Sequence, residues 1–556
     1  MLLIRISLHV CAILACGASW VSAETSDVGF LVVAPDRGYL GNQEIQTVFE
    51  QFKERYAPAS LALVGRDYNG VGSEYSSYLS RAVQELARDG AARIVAIPLF
   101  LSEADPVLRK VIAHLPAYTA ARAVRWAPAM AQSYLTGQIM LDRVEATSQD
   151  PQQERLFMIG VGAPDEAGEQ ALKADLGKLA AYVSLRKAFK EVQAVVYYDR
   201  DAAGAEDKNK AVDALLMQAA AKKGRTIAVP ATLGPKFDHS MALTNWLGDK
   251  FREMDVAYVK DELLPHPNVL LWLKKTANRY LPASAGEIGV IVMPHGATQP
   301  WNDAVEHIIN PLKTRYPLEI AFGMGDAEII QQAVTRLEDQ GIRRIVFGRM
   351  YALSHHMEER IEYILGLAPA PASHDHDHPL PAQVRSAALF AGFGGYEEYP
   401  GVAEILHQRI MEVSQEPSTE TVLLLAHGDR SEEGNAKWMH VMQSHIERLR
   451  QDPHCARLRA LRAATAREDW PELRDPAMAE IKASIREDAK QGRVLVIANR
   501  LYGSGPYKKL LADVEYVLNE KGLAHPLLTR WLEEEVDKAA AALAAPLDDA
   551  PPIAGR

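Results

Sequence analysis

Apolar residues fall along this chain in two alternating patterns. Short runs such as IGVIVMP at 288–294 are apolar at every position. Longer stretches follow, with apolar residues three and four apart, as at 302–316, where Ala304, Val305, Ile308, Ile309 and Leu312 share one side. The first pattern predicts a strand buried on both faces, and the second an amphipathic helix. The alternation continues with a strand at 318–322, a helix at 327–340 that stops at Gly341, and a strand at 344–348. A helix at 357–365, a strand at 386–390 and a helix at 401–413 complete the series. Such an order predicts a mainly parallel sheet with helices on both faces.

The same series recurs. Strands are predicted at 29–34, 61–64, 93–98 and from Val124 onward, then at 156–161, 194–198, 226–230 and 269–272. A last set falls at 422–426, 458–464, 494–498 and 526–528. The opening strands read VGFLVVAPDR, LFMIGVGAPD, IGVIVMPHG and TVLLLAHG. Their polar end residues are Asp36, Asp165, His295 and His427, spaced by 129, 130 and 132 residues. So steady a period predicts four versions of one α/β unit. Boundaries are expected at 24–150, 151–283, 284–417 and 418–545, with a disordered tail at 546–556. The segment 367–383, LAPAPASHDHDHPLPAQ, interrupts the third unit as an expected mobile loop.

Composition changes this picture little. The 556 residues are 48% hydrophobic and 24% charged, ordinary for a chain with several packed cores. A formal net charge of −11 gives no electrostatic reason to expect a nucleic-acid partner. The first 23 residues read as an export signal: Arg5, an apolar run at 6–18, then Val21-Ser22-Ala23 before Glu24. The run is shorter than the ~20 residues a membrane span needs, so a periplasmic or otherwise exported protein is expected. A lipoprotein site at Cys16 is the alternative. Signal cleavage would leave only Cys455 of the three cysteines, which excludes an intramolecular disulfide and reads as an incidental thiol.

Candidate chemistry concentrates in the third and fourth units, which carry His where the first two carry Asp. Open parallel sheets bind ligands beyond the carboxyl ends of their strands, and His295 and His427 stand there. The third strand of the third unit leads into RMYALSHHMEER, which brings His355 and His356 to the same edge. Two imidazoles there suit one divalent ion with coordination positions left open, or else they are polar residues at a helix start. The tract of His374, His376 and His378 alternates imidazole with carboxylate and reads as an exchangeable metal binder or a low-complexity accident. Glu328 is either a proton acceptor at the edge or a favourable charge in a first helical turn. Tyr507, in the fourth unit at the counterpart of His356, either contacts a ligand or packs. No phosphate-binding loop is apparent, so no nucleotide cofactor is expected.

These residues carry a family likeness. The texts IVMPHGATQPWNDAV, LEIAFGMGDAEIIQQAVTRLEDQGIRRIVFG, ALSHHMEERI and LLLAHGDRSEEGNAKW resemble the class II tetrapyrrole chelatases, the sirohydrochlorin cobaltochelatases and ferrochelatases of CbiX/SirB type. The resemblance implies four chelatase-like, flavodoxin-like units in which two similar halves face each other across a macrocycle. It implies a divalent metal (cobalt, nickel, iron or zinc) and a tetrapyrrole as substrates. Carried over by position, His295 and His356 are the expected metal ligands, and Glu328 and His427 match further site positions. The fourth unit departs from the pattern in carrying Tyr507 where a second His is expected. The rival expectation is an exported metal- or tetrapyrrole-binding protein without turnover.

Overall fold

The structure is a computed structural model and describes residues 27–119, 122–371 and 380–546. The export signal, the tail beyond 546 and His374, His376 and His378 lie outside the described residues. The first unit runs β1 (Val28–Pro35), α1 (Gly38–Lys53), β2 (Ala59–Val64), α2 (Ser76–Arg88), β3 (Arg93–Pro98), α3 (Pro106–His114), β4 (Ala123–Trp126) and α4 (Tyr134–Glu145). The second runs β5 (Arg155–Ala163), α5 (Glu166–Ser184), β6 (Glu191–Tyr198), α6 (Ala205–Ala220), β7 (Thr226–Pro230), α7 (Leu243–Glu253), β8 (Ala257–Tyr258) and α8 (Pro267–Asn278). The third runs β9 (Ile288–Pro294), α9 (Gln299–Ile309), β10 (Leu318–Ile320), α10 (Ala327–Asp339), β11 (Arg344–Met350), α11 (Glu358–Leu365), β12 (Leu389–Gly394) and α12 (Pro400–Met411). The fourth runs β13 (Glu420–Ala426), α13 (Glu432–Leu449), β14 (Ala460–Thr465), α14 (Pro471–Ala489), β15 (Arg493–Asn499), α15 (Tyr507–Leu510), β16 (Val517–Asn519) and α16 (Pro526–Ala544).

Four four-stranded sheets result, each with its first strand between the second and third and its fourth outside the third. All strand pairings are parallel. The α/β class and the fourfold repeat are therefore as the sequence predicts.

Strand alternation shows how the units pair. Successive side chains point to opposite faces of a sheet. In β1, Leu31 and Val33 enter a core private to the first unit, with Leu79, Leu86 and Leu108. Phe30 and Val32 enter a different core, which also takes Leu156 and Met158 of β5. In β5 the intervening Phe157 and Ile159 line a core private to the second unit. The other pair repeats this: Val290, Val292, Val422 and Leu424 share one core, while Ile291 and Met293 and Leu423 and Leu425 face private ones. Two paired modules follow, first with second and third with fourth.

Within each pair the last helices are exchanged. Helix α8 packs on β3 and α1 of the first unit, and α4 packs on β7 and α5 of the second. Helix α16 packs on β9, β11 and β12 of the third unit, and α12 packs on β15 and α13 of the fourth. Two expected strands are corrected by these helices. The runs at 269–272 and 526–528 begin α8 and α16, while the true fourth strands are Ala257–Tyr258 and Val517–Asn519. A short apolar run does not distinguish strand from helix. What decides here is the cap: His266 and His525 accept hydrogen bonds from the backbone N–H of Asn268 and Leu527, and each is followed by Pro at the first helical position. Strand β12 likewise lies later than the expected 386–390, at Leu389–Gly394.

A small set of polar contacts joins the two modules. Asn278, fully buried at the end of α8, donates from Nδ2 to the Ala387 carbonyl at 2.9 Å and accepts from the Tyr56 hydroxyl at 2.9 Å. Its own carbonyl accepts from the buried Arg344 at 2.8 Å. Asp142 of α4 contacts His266 at 3.0 Å and accepts two bonds of 2.7 Å from Arg385. Burial opposes ionisation of Asp142, but the bonds from His266 and Arg385 and the charge on Arg385 hold its carboxyl well below the ordinary 3.8.

Two expectations follow. The folded state binds the Asp142 proton less readily than the unfolded chain, so the contribution is present above pH 3.8 and is lost as pH falls toward the depressed value. Arg385→Ala should therefore flatten the fall in stability below about pH 4 in acid unfolding followed by circular dichroism. Trp531 of α16 is 4% exposed and meets Phe393 and Tyr396 of the third unit edge-on at 5.8 and 5.9 Å. Trp531→Ala should cost about 3–5 kcal/mol in urea unfolding and loosen the third and fourth units together.

Candidate metal-handling site

The site lies where the carboxyl ends of the third and fourth sheets meet. Strand β11 ends at Met350, beside Pro294 at the end of β9. The chain then turns tightly through Leu353 to Met357 before α11, with the His356 N–H donating to the Leu353 carbonyl at 3.1 Å. Met357 takes a left-handed backbone, φ 60°, which a non-glycine residue adopts only where its surroundings impose it. Arg349 of β11 imposes it from below. It is 4% exposed, donates to the carbonyls of Ser354 at 2.8 Å and His356 at 3.3 Å, and pairs with Glu358 at 2.8 Å. Gly395 closes the other side, where a Cβ would stand 2.6 Å from the Ser354 backbone.

That turn presents His355 and His356 to the fourth unit, their rings 4.7 Å apart. Opposite stands Asp429, two residues beyond His427. One of its oxygens accepts from the Ser431 N–H at 2.8 Å and hydroxyl at 2.9 Å, just ahead of α13. The other faces His356 Nε2 at 3.3 Å. Ligand atoms of His355, His356 and Asp429 all lie within 4.8 Å of one another. Trp438 of α13, 4% exposed, walls the group with its ring 6.4 Å from that of His356. Burial, together with the charges of His355 and His427, pushes the His356 imidazole below its ordinary value against the pull of Asp429. A neutral imidazole is the form that ligates metal. Burial opposes ionisation of Asp429, but bonds from Ser431 and His356 keep its carboxyl below the usual range.

The expected partnership was His295 with His356. His295 does reach the same edge, beside Tyr351 at 6.4 Å between rings, but the group that closes around His356 contains His355 and Asp429 instead. His295 is exposed, and its Nδ1 sits 2.6 Å from the Gly296 carbonyl. His427 makes the same contact with Gly428 at 2.8 Å, and both glycines have matching positive φ, 81° and 86°. The two strand ends are thus the same local structure. His427 also holds Asp469 at 3.0 Å and meets the Trp470 ring edge-on at 5.8 Å.

Other candidates are placed differently. Glu328 is exposed in the first turn of α10, behind its capping residue Asp326, outside the histidine group. Tyr507 is fully buried among Leu425, Val496 and Leu511 of the fourth unit's private core, which is the packing alternative. Asp36 accepts bonds from the Gly38 N–H, Asn42 and Tyr75, and Asp165 caps α5 through the Gly168 N–H. In the first two units the strand-end position therefore serves local structure.

Sequence reasoning missed Asp429. The signal was the spacing Asp429-Arg430-Ser431 directly after His-Gly, a capping turn that aims a carboxylate at the strand edge. A second set of ligand-type atoms among the described residues is His407, Asp452 and Cys455. There Asp452 accepts from the N–H groups of His454 and Cys455, and burial pushes the Cys455 thiol up to about 11. That set is a turn cap beside a protonated thiol, in keeping with an incidental Cys455.

No family model matches the chain, and no curated protein matches it. Among solved structures, the chain is similar to SirB from Bacillus subtilis with Fe3+, at 15% identity over 44% of this chain and 92% of that one, with a TM-score of 0.34. It is also similar to DR2241 from Deinococcus radiodurans, described as a multi-domain protein with structural similarity to chelatases and two additional novel domains. That match has 14% identity over 49% of this chain and 57% of the other, with a TM-score of 0.31.

If Asp429 orients His356, Asp429→Asn should weaken cobalt or nickel binding about 10- to 100-fold in calorimetric titration, the usual cost of losing a carboxylate beside a ligating imidazole. Glu328→Gln should leave that affinity unchanged.

Proposed function

We propose that the cleft between the third and fourth units takes up a divalent metal ion and passes it into a sirohydrochlorin-like tetrapyrrole. The observation that carries this reading is the meeting of His355 and His356 with Asp429 across two units, at the strand edge where ligands of parallel sheets bind. Imidazole and carboxylate suit cobalt, nickel, iron or zinc. Two imidazole ligands with Asp429 beside them leave positions open on the ion, as delivery requires, whereas a closed four-ligand cage would retain it.

The reaction exchanges one dication for two pyrrole N–H protons. In this proposal His356 and His355 hold the ion while it sheds water, and Asp429 balances its charge and orients His356. His295 and His427, on the equivalent strand ends of the third and fourth units, accept the departing protons. Metal and macrocycle are both substrates, and no nucleotide is needed. The export signal read at 1–23 would place this chemistry outside the cytoplasm. No helix among the described residues is long and apolar enough to cross a membrane.

The test is metallation of sirohydrochlorin by cobalt or nickel, followed by the shift in its absorption spectrum. The full chain should accelerate the reaction over the uncatalysed rate, and His356→Ala should remove most of the acceleration. His295→Ala and His427→Ala should each slow turnover while leaving metal affinity nearly intact. Stoichiometric binding of metal or macrocycle without turnover would instead establish a carrier. Unchanged binding in His356→Ala would exclude the site altogether.

A further inference from the structure

Between the third and fourth units lies a group of buried polar side chains that the cleft chemistry does not use. Glu397 is 0% exposed, and His445 and Asn499 are each 1% exposed. They come from three places in the fold. Glu397 follows β12, His445 lies on the buried face of α13, and Asn499 is the last residue of β15. All three meet at one carboxylate oxygen: His445 Nε2 stands 3.4 Å and Asn499 Nδ2 3.2 Å from Glu397 Oε2.

Four atoms of this group have no hydrogen-bond partner among the described residues: Glu397 Oε1, both ring nitrogens of His445 and Asn499 Oδ1. Buried polar atoms are satisfied as a rule, and a buried charge needs a partner of opposite sign. No Lys or Arg pairs with Glu397 among the described residues, and Arg500, the neighbour of Asn499, is paired with Glu468. An imidazolium at His445 does not resolve this. It would carry a second N–H at Nδ1, where no acceptor stands among the described residues. Its 3.4 Å approach to Glu397 is also longer than an ordinary N–H···O bond.

The separations fit a shared ion. Two ligands about 2.0–2.2 Å from one ion stand roughly 3–3.5 Å apart at tetrahedral or octahedral angles. Half a turn of the Asn499 amide places Oδ1 where Nδ2 stands, because the two ends of an amide have the same shape. One carboxylate, one neutral imidazole and one amide oxygen then form a donor set suited to zinc, manganese, cobalt or nickel.

We propose that Glu397, His445 and Asn499 hold a resident divalent metal ion that ties the third unit to the fourth. This ion is distinct from the one handled by His355 and His356, and its presence does not depend on the chelatase reading. Its effect reaches both walls of the cleft. The N–H groups of Tyr396 and Glu397 donate to the carbonyls of Tyr351 and Ala352 at 3.2 and 3.0 Å, just ahead of the turn that presents His355 and His356. Helix α13 carries Trp438 two turns before His445, and Asn499 pairs in register with Ala426, the residue before His427. Ligands this deeply buried release an ion only when the two units part.

The experiment uses the full chain with His355, His356, His374, His376 and His378 all changed to Ala, so that neither the cleft nor the histidine tract retains metal. It is expressed with zinc, manganese, cobalt and nickel in the medium and dialysed against EDTA at neutral pH, and the metal is counted by mass spectrometry. One equivalent should remain and should be released when the chain is unfolded in urea. Adding Glu397→Gln or His445→Gln should abolish retention. Should either variant fail to fold, X-ray absorption of the cobalt-loaded parent chain still decides, with one imidazole expected per ion. No retained metal, which would leave the group bridged by water, overturns the proposal. So does retention indifferent to both substitutions, or a cobalt ion with no imidazole or more than one.

Discussion

Everything in this molecule follows from how a four-stranded parallel sheet covers its two apolar faces. One face is covered by helices of the same unit. The other is only partly covered by its own first helix, and the neighbouring unit supplies the rest through its last helix. Phe30 and Leu31 are adjacent in sequence, yet they enter different cores for this reason. The exchange also brings the carboxyl ends of two sheets to face one another, twice over. Both clefts are products of that packing, because parallel strands direct their loops and the residues on them toward the same edge.

The repeat makes the chemical difference between the halves legible. Each opening strand ends in a tight turn just past its last apolar residue. In the third and fourth units that turn carries His-Gly with the same backbone geometry and the same contact from imidazole to the next carbonyl. In the first two it carries Asp, and the carboxylate is consumed by neighbouring N–H and O–H donors. The same scaffold thus carries an imidazole at this position in two units and a turn-closing carboxylate in the other two.

Much of the fold could be read from residue patterns. Strands β9 and β13 are apolar at nearly every position because they are buried on both sides, and the helices after them show clear apolar faces. The runs at 269–272 and 526–528 were misread because an exchanged helix is apolar enough to imitate a strand. The true fourth strands are only two and three residues long, too short for any pattern. At the site, His355 and His356 stood out by composition and position. Asp429 did not, since its part depends on a contact between units that no local spacing encodes. The pairing of His295 with His356 is what the family resemblance implies; the contact of His356 with Asp429 comes from the turn held by Arg349, which faces the fourth unit.

The swapped terminal helices bear on ancestry. A single unit copied alone would carry a sheet with one face only partly covered and a final helix without the sheet it packs on. The smallest segment that a genome can duplicate, lose or transplant intact is therefore two units in tandem. Each pair has its own shared core, so a change in one pair's cleft need not disturb the packing of the other.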